Sequence, residues 1–208
     1  MENLETIPYI IYAEATPNPA SMKFVANKML LGKGASAEYG SAAETEHAPI
    51  ARRLFQFPFV KNVFVSSNYI TVTKHDAVDW DDIILELRSF ITEYLNEGNL
   101  IITVLPAQNV ATDNTFKQTA SVNTQHNAPQ NEVEAKIVEV LEQYIRPAVE
   151  NDGGLITFKE LKEGVVTVQM RGSCSGCPSS TMTLKAGIEA LLKRLLPDHV
   201  KEVVSEAV

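Results

Sequence analysis

Ala107-Gln-Asn-Val-Ala-Thr-Asp-Asn-Thr-Phe-Lys-Gln-Thr-Ala-Ser-Val-Asn-Thr-Gln-His-Asn-Ala-Pro-Gln130 is the stretch that decides how this chain is organised. It consists almost entirely of Ala, Gln, Asn, Thr and Ser, with one Lys, one Asp and the aromatic Phe116. Such a composition cannot bury enough apolar surface to offset the entropy of ordering it. Structureless loops of that length are also uncommon inside compact domains. Residues 107–130 are therefore expected to form a flexible polar linker, whose ends stand on the order of 25–30 Å apart. The fold class that follows is α+β: two small α+β domains, residues 1–106 and 131–208, tethered closely enough to touch. A polar surface loop within a single domain is the competing reading.

Upstream, Tyr9 to Glu14, Lys23 to Asn27, Lys61 to Ser66 and Tyr69 to Lys74 are rich in Ile, Val, Phe and Tyr and bounded by turn residues, the pattern of strands. Ser67-Asn68 supplies a tight hairpin connection, and Thr16-Pro17-Asn18-Pro19 restrains the chain between the first two strands. Ala48 to Gln56 reads as a short helix. A longer one begins near Asp79, with Ile83, Ile84, Leu87, Phe90, Ile91, Tyr94 and Leu95 on one face and Gly98 at its end. Trp80 and this aromatic stripe are assigned to the core. The acidic cluster Asp79, Asp81 and Asp82 suits a helix start without any metal.

Downstream, Val133, Ile137, Leu141, Tyr144 and Ile145 trace a helix that Pro147 should stop before a turn at Asp152-Gly153-Gly154. Strands are expected over Leu155 to Leu161 and Val165 to Met170, joined at Glu163-Gly164. A helix from about Ser180 follows, striped by Leu184, Ile188, Leu191, Leu192 and Leu195 and stopped by Pro197, then a short strand over Val200 to Ser205. Arg146 and Asp152 are candidates for a structural ion pair.

Hydrophobic residues make up 45% of the 208 residues and charged residues 21%, enough for real cores. The formal charge of -8 and pI near 5.1 give no electrostatic support for nucleic acid or anionic membrane. No Lys or Arg precedes Lys23, while Glu2, Glu5 and Glu14 do. That is the reverse of a signal or transit peptide, and together with two closely spaced cysteines it predicts a reducing, cytoplasmic setting.

The chemistry concentrates in Gly172-Ser173-Cys174-Ser175-Gly176-Cys177-Pro178-Ser179-Ser180. The glycines permit backbone geometry that lets both sulfurs turn toward one point. Pro178 and the serine pair mark a helix start whose dipole lowers thiol pKa, so the segment predicts exposed thiolates suited to metal. Three functions compete with two inert core cysteines. Structural zinc needs four ligands, and His47, His75, His126 and His199 are scattered singly and read as solvated or satisfied surface residues. Dithiol redox chemistry needs only the pair, although the thioredoxin motif belongs with a βαβ pattern and here the pair follows hairpin-joined strands. Iron-sulfur ligation needs four thiolates, which two copies of the chain would supply across a twofold axis from Cys174 and Cys177; external thiols such as glutathione are the other way to complete the set.

These residues resemble the NifU C-terminal domain and the Nfu proteins. Ile145-Arg146-Pro147, Asp152-Gly153-Gly154, the nine residues from Gly172 to Ser180, Thr183-Leu184 and Gly187-Ile188-Glu189 carry that resemblance over about Val133 to Pro197. Thr16-Pro17-Asn18-Pro19, Lys23-Phe24-Val25, Leu54-Phe55 and Tyr69 to Lys74 resemble the Nfu N-terminal domain. Phe59 and Ser67 stand where that pattern has glycine, and His47-Ala48-Pro49 replaces a Ser-Pro. The resemblance implies a non-enzymatic scaffold or carrier. Its cofactor and metal residues are Cys174 and Cys177, which hold an iron-sulfur cluster of the 4Fe-4S type between the chains of a homodimer. Upstream assembly factors and apo iron-sulfur proteins are the implied partners, with no nucleic acid and no membrane. The alternative is a dithiol oxidoreductase or thiol-repair protein using the same pair.

Overall fold

The computed structural model describes residues 7–32, 34–105, 126–175 and 178–207. In the N-terminal domain five strands form one antiparallel sheet: β1 (Ile11–Ala15), β2 (Ser21–Ala26), β3 (Ser36–Tyr39), β4 (Val60–Ser66) and β5 (Tyr69–Lys74), in the order β1-β2-β5-β4-β3. The Ser67-Asn68 connection between β4 and β5 requires positive φ at Ser67 (42°), and Asn68 Nδ2 donates to Ala26 O at 3.1 Å, tying the turn to β2. Strand residues alternate faces. Phe24, Val63, Val65, Ile70 and Val72 point one way, into a core closed by α1 (Pro49–Leu54) and α2 (Trp80–Asn96). Of the expected stripe on α2, Ile83, Leu87, Ile91, Tyr94 and Leu95 are buried, while Ile84 and Phe90 pack at its margin. Trp80 lies at that margin too, its indole N–H donating to Pro19 O at 2.9 Å.

Strand β3 was not anticipated. Ser36-Ala-Glu-Tyr39 is four residues long with a single strong strand former, and it pairs with β4 alone at the sheet edge.

The C-terminal domain contains α3 (Glu132–Val140), a π-helical turn over Leu141–Ile145, α4 (Arg146–Asn151), β6 (Gly154–Lys162), β7 (Val165–Gly172), α5 (Pro178–Leu195) and β8 (Glu202–Ala207). Asn131 caps α3, its side chain accepting from Glu134 N at 2.9 Å. Pro147 does not stop the helix as expected. The π turn widens the ladder just before it, relieving the clash a proline ring makes with the preceding turn, and the helical path runs on to Asn151. Strands β6 and β7 form a hairpin through Glu163 (φ 54°) and Gly164 (φ 88°). Strand β8 lies parallel to β7, and α5 makes the crossover. Ile137, Leu141, Ile156, Val168, Ile188 and Leu192 are the centre of this second core.

Residues 107–125 of the expected tether lie outside the described residues. Asn127 is bound to the C-terminal domain, its N–H donating to Phe158 O at 3.0 Å and its Nδ2 to Lys159 O at 2.7 Å. The two domains meet. The sheet face opposite the helices carries Lys23 and Val25 from β2, Phe64 from β4 and Tyr69 and Thr71 from β5, adjacent in register. Phe64 and Tyr69 are buried together with Leu155 of β6, with Val25 packed against them.

Candidate functional site

Cys174 lies two residues past the end of β7 and before the first turn of α5, where a strand delivers the chain to a helix N-terminus. The loop is shaped by backbone bonds. Ser173 N donates to Gly153 O at 3.2 Å, the Ser173 hydroxyl donates to Asp152 O, and Ser175 donates to Gly172 O through both its N–H (3.1 Å) and its hydroxyl (2.8 Å). Gly172 has φ 68°, and a Cβ there would lie 2.6 Å from Gly153 O and 2.8 Å from the Phe64 ring. A Cβ on Gly154 would lie 2.7 Å from Cys174 Sγ and 2.8 Å from Arg171 O. The Asp152-Gly153-Gly154 turn and the cysteine loop are therefore one packed unit, and these glycines are what allow the close approach.

The expectation of exposed thiolates fails for Cys174, which is 5% exposed and joins the C-terminal core. The cavity beside it, lined by Pro17, Asn18, Asp152, Ser173, Cys174 and Leu184, holds about 30 Å³. That is room for a water or two and far less than a cluster of several metal and sulfide atoms. Part of the cover, Pro17 and Asn18, comes from the other domain, and a Gly/Ser-rich local composition cannot register it. Cys177 lies outside the described residues.

Of the covering residues, Asn18, Lys23, Tyr69 and Thr71 stand in the sequence as turn, strand and family-pattern positions without a site role, and nothing in the local sequence singles out Glu38. Asn18 Nδ2 donates to Ser173 O at 3.0 Å, Lys23 Nζ to Asn151 O at 3.2 Å, Tyr69 OH to Gly154 O at 2.8 Å and Thr71 Oγ1 to Gly153 O at 2.7 Å. In the other direction Gly172 N and the Ser175 hydroxyl each donate to Glu38 Oε1 at 3.2 Å. Alternation gave a signal: polar residues on the outer face of β2, β4 and β5 interrupted by Val25, Phe64 and Tyr69, an apolar patch with nothing local to cover it.

Burial sets the electrostatics of this junction. It raises the Glu38 carboxyl above its ordinary value, against the opposing pull of the Gly172 N–H, Ser175, Arg171 and Asn62. It lowers Arg171, which Glu38 partly restores, and it pushes the Tyr69 phenol far up, keeping it a donor. Burial also raises Asp152, opposed by Lys23.

Arg146 does not pair with Asp152 as expected. It reaches Glu142 at 2.5 Å and Glu150 at 3.8 Å, its neighbours one helical turn away on either side. Glu142 also meets His126, whose Nδ1 accepts from Phe158 N at 2.6 Å. His126 is thus satisfied but buried, whereas His47, His75 and His199 are exposed. Among the described residues no three of His, Cys, Asp and Glu converge as a metal-binding group. Among them, too, no helix is long and apolar enough to cross a membrane.

The position of the cysteine loop removes one argument made against dithiol chemistry. Strand β7, α5 and parallel β8 form a βαβ unit with Cys174 at its first junction, the context that the hairpin-based reading had denied it.

The family described as "Scaffold protein Nfu/NifU N terminal" matches residues 11–98, and the family described as "NifU-like domain" matches residues 137–204. The chain is 36% identical over 199 residues to the "NFU1 iron-sulfur cluster scaffold homolog, mitochondrial" of Drosophila willistoni, and 35% identical over 199 residues to that of Drosophila sechellia. These alignments cover 95% of this chain but 64% and 66% of the relatives, so it spans just under two thirds of their length. The solution structure of a NifU-like protein from Saccharomyces cerevisiae aligns with 49% of this chain and 92% of that one, at 24% identity and TM-score 0.40, too low to carry weight. The expected cytoplasmic location is overturned, since these relatives are named mitochondrial. The acidic first residues of a chain that spans only part of its relatives were not a sound basis for a compartment.

Proposed function

Because the chain belongs to the Nfu/NifU family of scaffold proteins, with both family domains in order along it, we propose that it is an iron-sulfur cluster scaffold and carrier. Cys174 and Cys177 are the proposed ligands. Two thiolates per chain against four needed calls for two chains around one cluster, and the 4Fe-4S type is the one proposed. The observation that carries the reading is the cysteine loop at the β7–α5 junction inside the NifU-like domain, beside the positive end of α5. The cluster is cargo, received or built on the loop and handed to apo iron-sulfur proteins, so the role is holding and release rather than turnover.

A dithiol oxidoreductase is the second reading, favoured by the βαβ placement of the motif. Anaerobic reconstitution with iron and sulfide separates the two. A brown protein with one cluster for about two chains is expected; a colourless monomer that cycles Cys174 and Cys177 against thioredoxin supports the oxidoreductase. Cys174→Ser and Cys177→Ser should each abolish stable cluster binding, because each removes two of the four donors from a symmetric dimer. Full cluster occupancy in either variant refutes the four-thiolate assignment.

A further inference from the structure

Six hydrogen bonds cross between the domains among the described residues, and all six end on the Asp152-Gly153-Gly154 turn, the residue before it, or the cysteine loop. Four donate to backbone carbonyls of the C-terminal domain, and a fifth, from Gly172, uses a backbone N–H. The contact thus reads the loop's main chain, which glycine at 153, 154 and 172 leaves open. Beneath it Cys174 is 5% exposed, packed against Gly154 of its own domain, with Pro17 and Asn18 of the other domain lining the cavity of about 30 Å³ beside it.

From this we infer that the outer face of the N-terminal sheet is a docking surface for the chain's own cysteine loop, and that docking and cluster loading exclude one another. The inference rests on the scaffold reading above. Four thiolates from two chains cannot converge on one cluster while Asn18, Glu38 and Tyr69 occupy the ground in front of each loop. Loading therefore requires the N-terminal domain to swing away, and release of the cluster lets it return.

The docked state is built to be left. Glu38 Oε2, Asn62 Oδ1 and Arg171 Nε are buried there without hydrogen-bond partners among the described residues, and all would regain water on opening. The chain between residues 105 and 126 is long enough to allow the excursion, and it holds the separated domains at an effective concentration in the millimolar range. A contact that is weak between separate molecules closes reliably under that condition. The empty scaffold is capped by its own domain, and the loaded one presents the Lys23, Phe64, Tyr69 and Thr71 face to solvent.

The test uses the full chain. In a Cys177→Ser background, so that Cys174 alone reports, iodoacetamide labelling is followed by intact mass with and without Glu38→Arg, which places a cation against Arg171 and breaks the acceptor for Gly172 and Ser175. Labelling is expected to accelerate about tenfold or more on undocking. Equal rates overturn the inference whatever the cluster does. With both cysteines present, small-angle scattering should show a compact empty chain and separated domains after anaerobic loading; a loaded dimer with its domains still docked also overturns it. Protection of Cys174 with no cluster formed in any variant leaves docking standing and refutes the scaffold reading instead. If circular dichroism shows Glu38→Arg to be misfolded, Tyr69→Phe with Thr71→Val removes two interdomain donors at almost unchanged volume and must give the same acceleration.

Discussion

One face of the five-stranded sheet presents Phe24, Val63, Val65, Ile70 and Val72 to α1 and α2; the other presents Lys23, Tyr69 and Thr71 to Asn151 and the glycine turn after it, and Glu38 to the cysteine loop. The first contact is apolar apart from the Tyr39 hydroxyl, which is buried there without a hydrogen-bond partner among the described residues. The second mixes a small apolar patch with six hydrogen bonds and buries Glu38 and Arg171 among them, and that larger polar share is how interfaces between domains differ from cores. Both faces bury β5 almost completely, Ile70 and Val72 as fully as Thr71. Burial alone therefore does not tell a permanent contact from a reversible one; the chemistry of what is buried does.

The sharpest way to separate the faces is to damage the first. Phe24 is fully buried against the helices, so Phe24→Ala should destabilise the N-terminal domain by about 3–5 kcal/mol in denaturant or thermal unfolding. Damage to the second face from the opposite side should be smaller and differently distributed. Gly172→Ala imposes a left-handed conformation costing about 1–2 kcal/mol. Its Cβ also strikes Gly153 O and the Phe64 ring. The expected result is faster Cys174 labelling and a modest loss of C-terminal stability, with the N-terminal melting transition unmoved. A variant that melts the N-terminal domain as Phe24→Ala does would erase the distinction between the faces.

The two-domain organisation, seven of the eight strands among the described residues and the long helices were legible because each follows from periodicity or punctuation within a single segment. Strand β3 was not, since its strand character comes from pairing with β4 rather than from its own four residues. Pro147 misled because a rule about regular α-helix does not foresee a π turn that accommodates the ring. The cysteine loop was found by composition and spacing, yet its burial was not. Cys174 packs into its own domain's core and against Gly154, and Asn18, about 150 positions upstream, lines the cavity beside it; no local pattern encodes that contact between domains. The same distance hid Glu38, whose neighbours in sequence mark it only as a charged residue near a glycine.

Thr71→Val tests the polar face with little change in shape. The hydroxyl donates to Gly153 O, and its removal leaves that carbonyl facing a methyl group when the domains dock. An unsatisfied buried acceptor costs about 1–3 kcal/mol, which here falls on the docking equilibrium. Valine is a good strand former, so the melting of the N-terminal domain itself should be unchanged or slightly raised. The measurement is the radius of gyration of the empty chain, expected to increase. An unchanged radius with a lowered melting temperature would mean that Thr71 serves the N-terminal fold and not the junction.

The smallest expected effect is a dependence on pH that the apolar face cannot have. Burial raises the Glu38 carboxyl in the docked chain above its ordinary 4.5, with the Gly172 N–H, Ser175, Arg171 and Asn62 opposing but not cancelling the rise. A group whose pKa is raised by docking favours the docked state in its protonated form. Its contribution is complete below 4.5 and is lost as pH climbs through the raised docked value, so at neutral pH the carboxylate loosens the junction. Glu38→Gln keeps an oxygen acceptor for Gly172 and Ser175 without the charge. It should therefore dock more tightly than the natural chain at neutral pH and converge with it on acidification, read as the ratio of their Cys174 labelling rates so that the thiol's own titration cancels. A ratio that stays constant from acid to neutral pH would show that the Glu38 charge is indifferent to docking, leaving the hydrogen bonds of Tyr69, Thr71 and Asn18 as the part of this face that differs from the other.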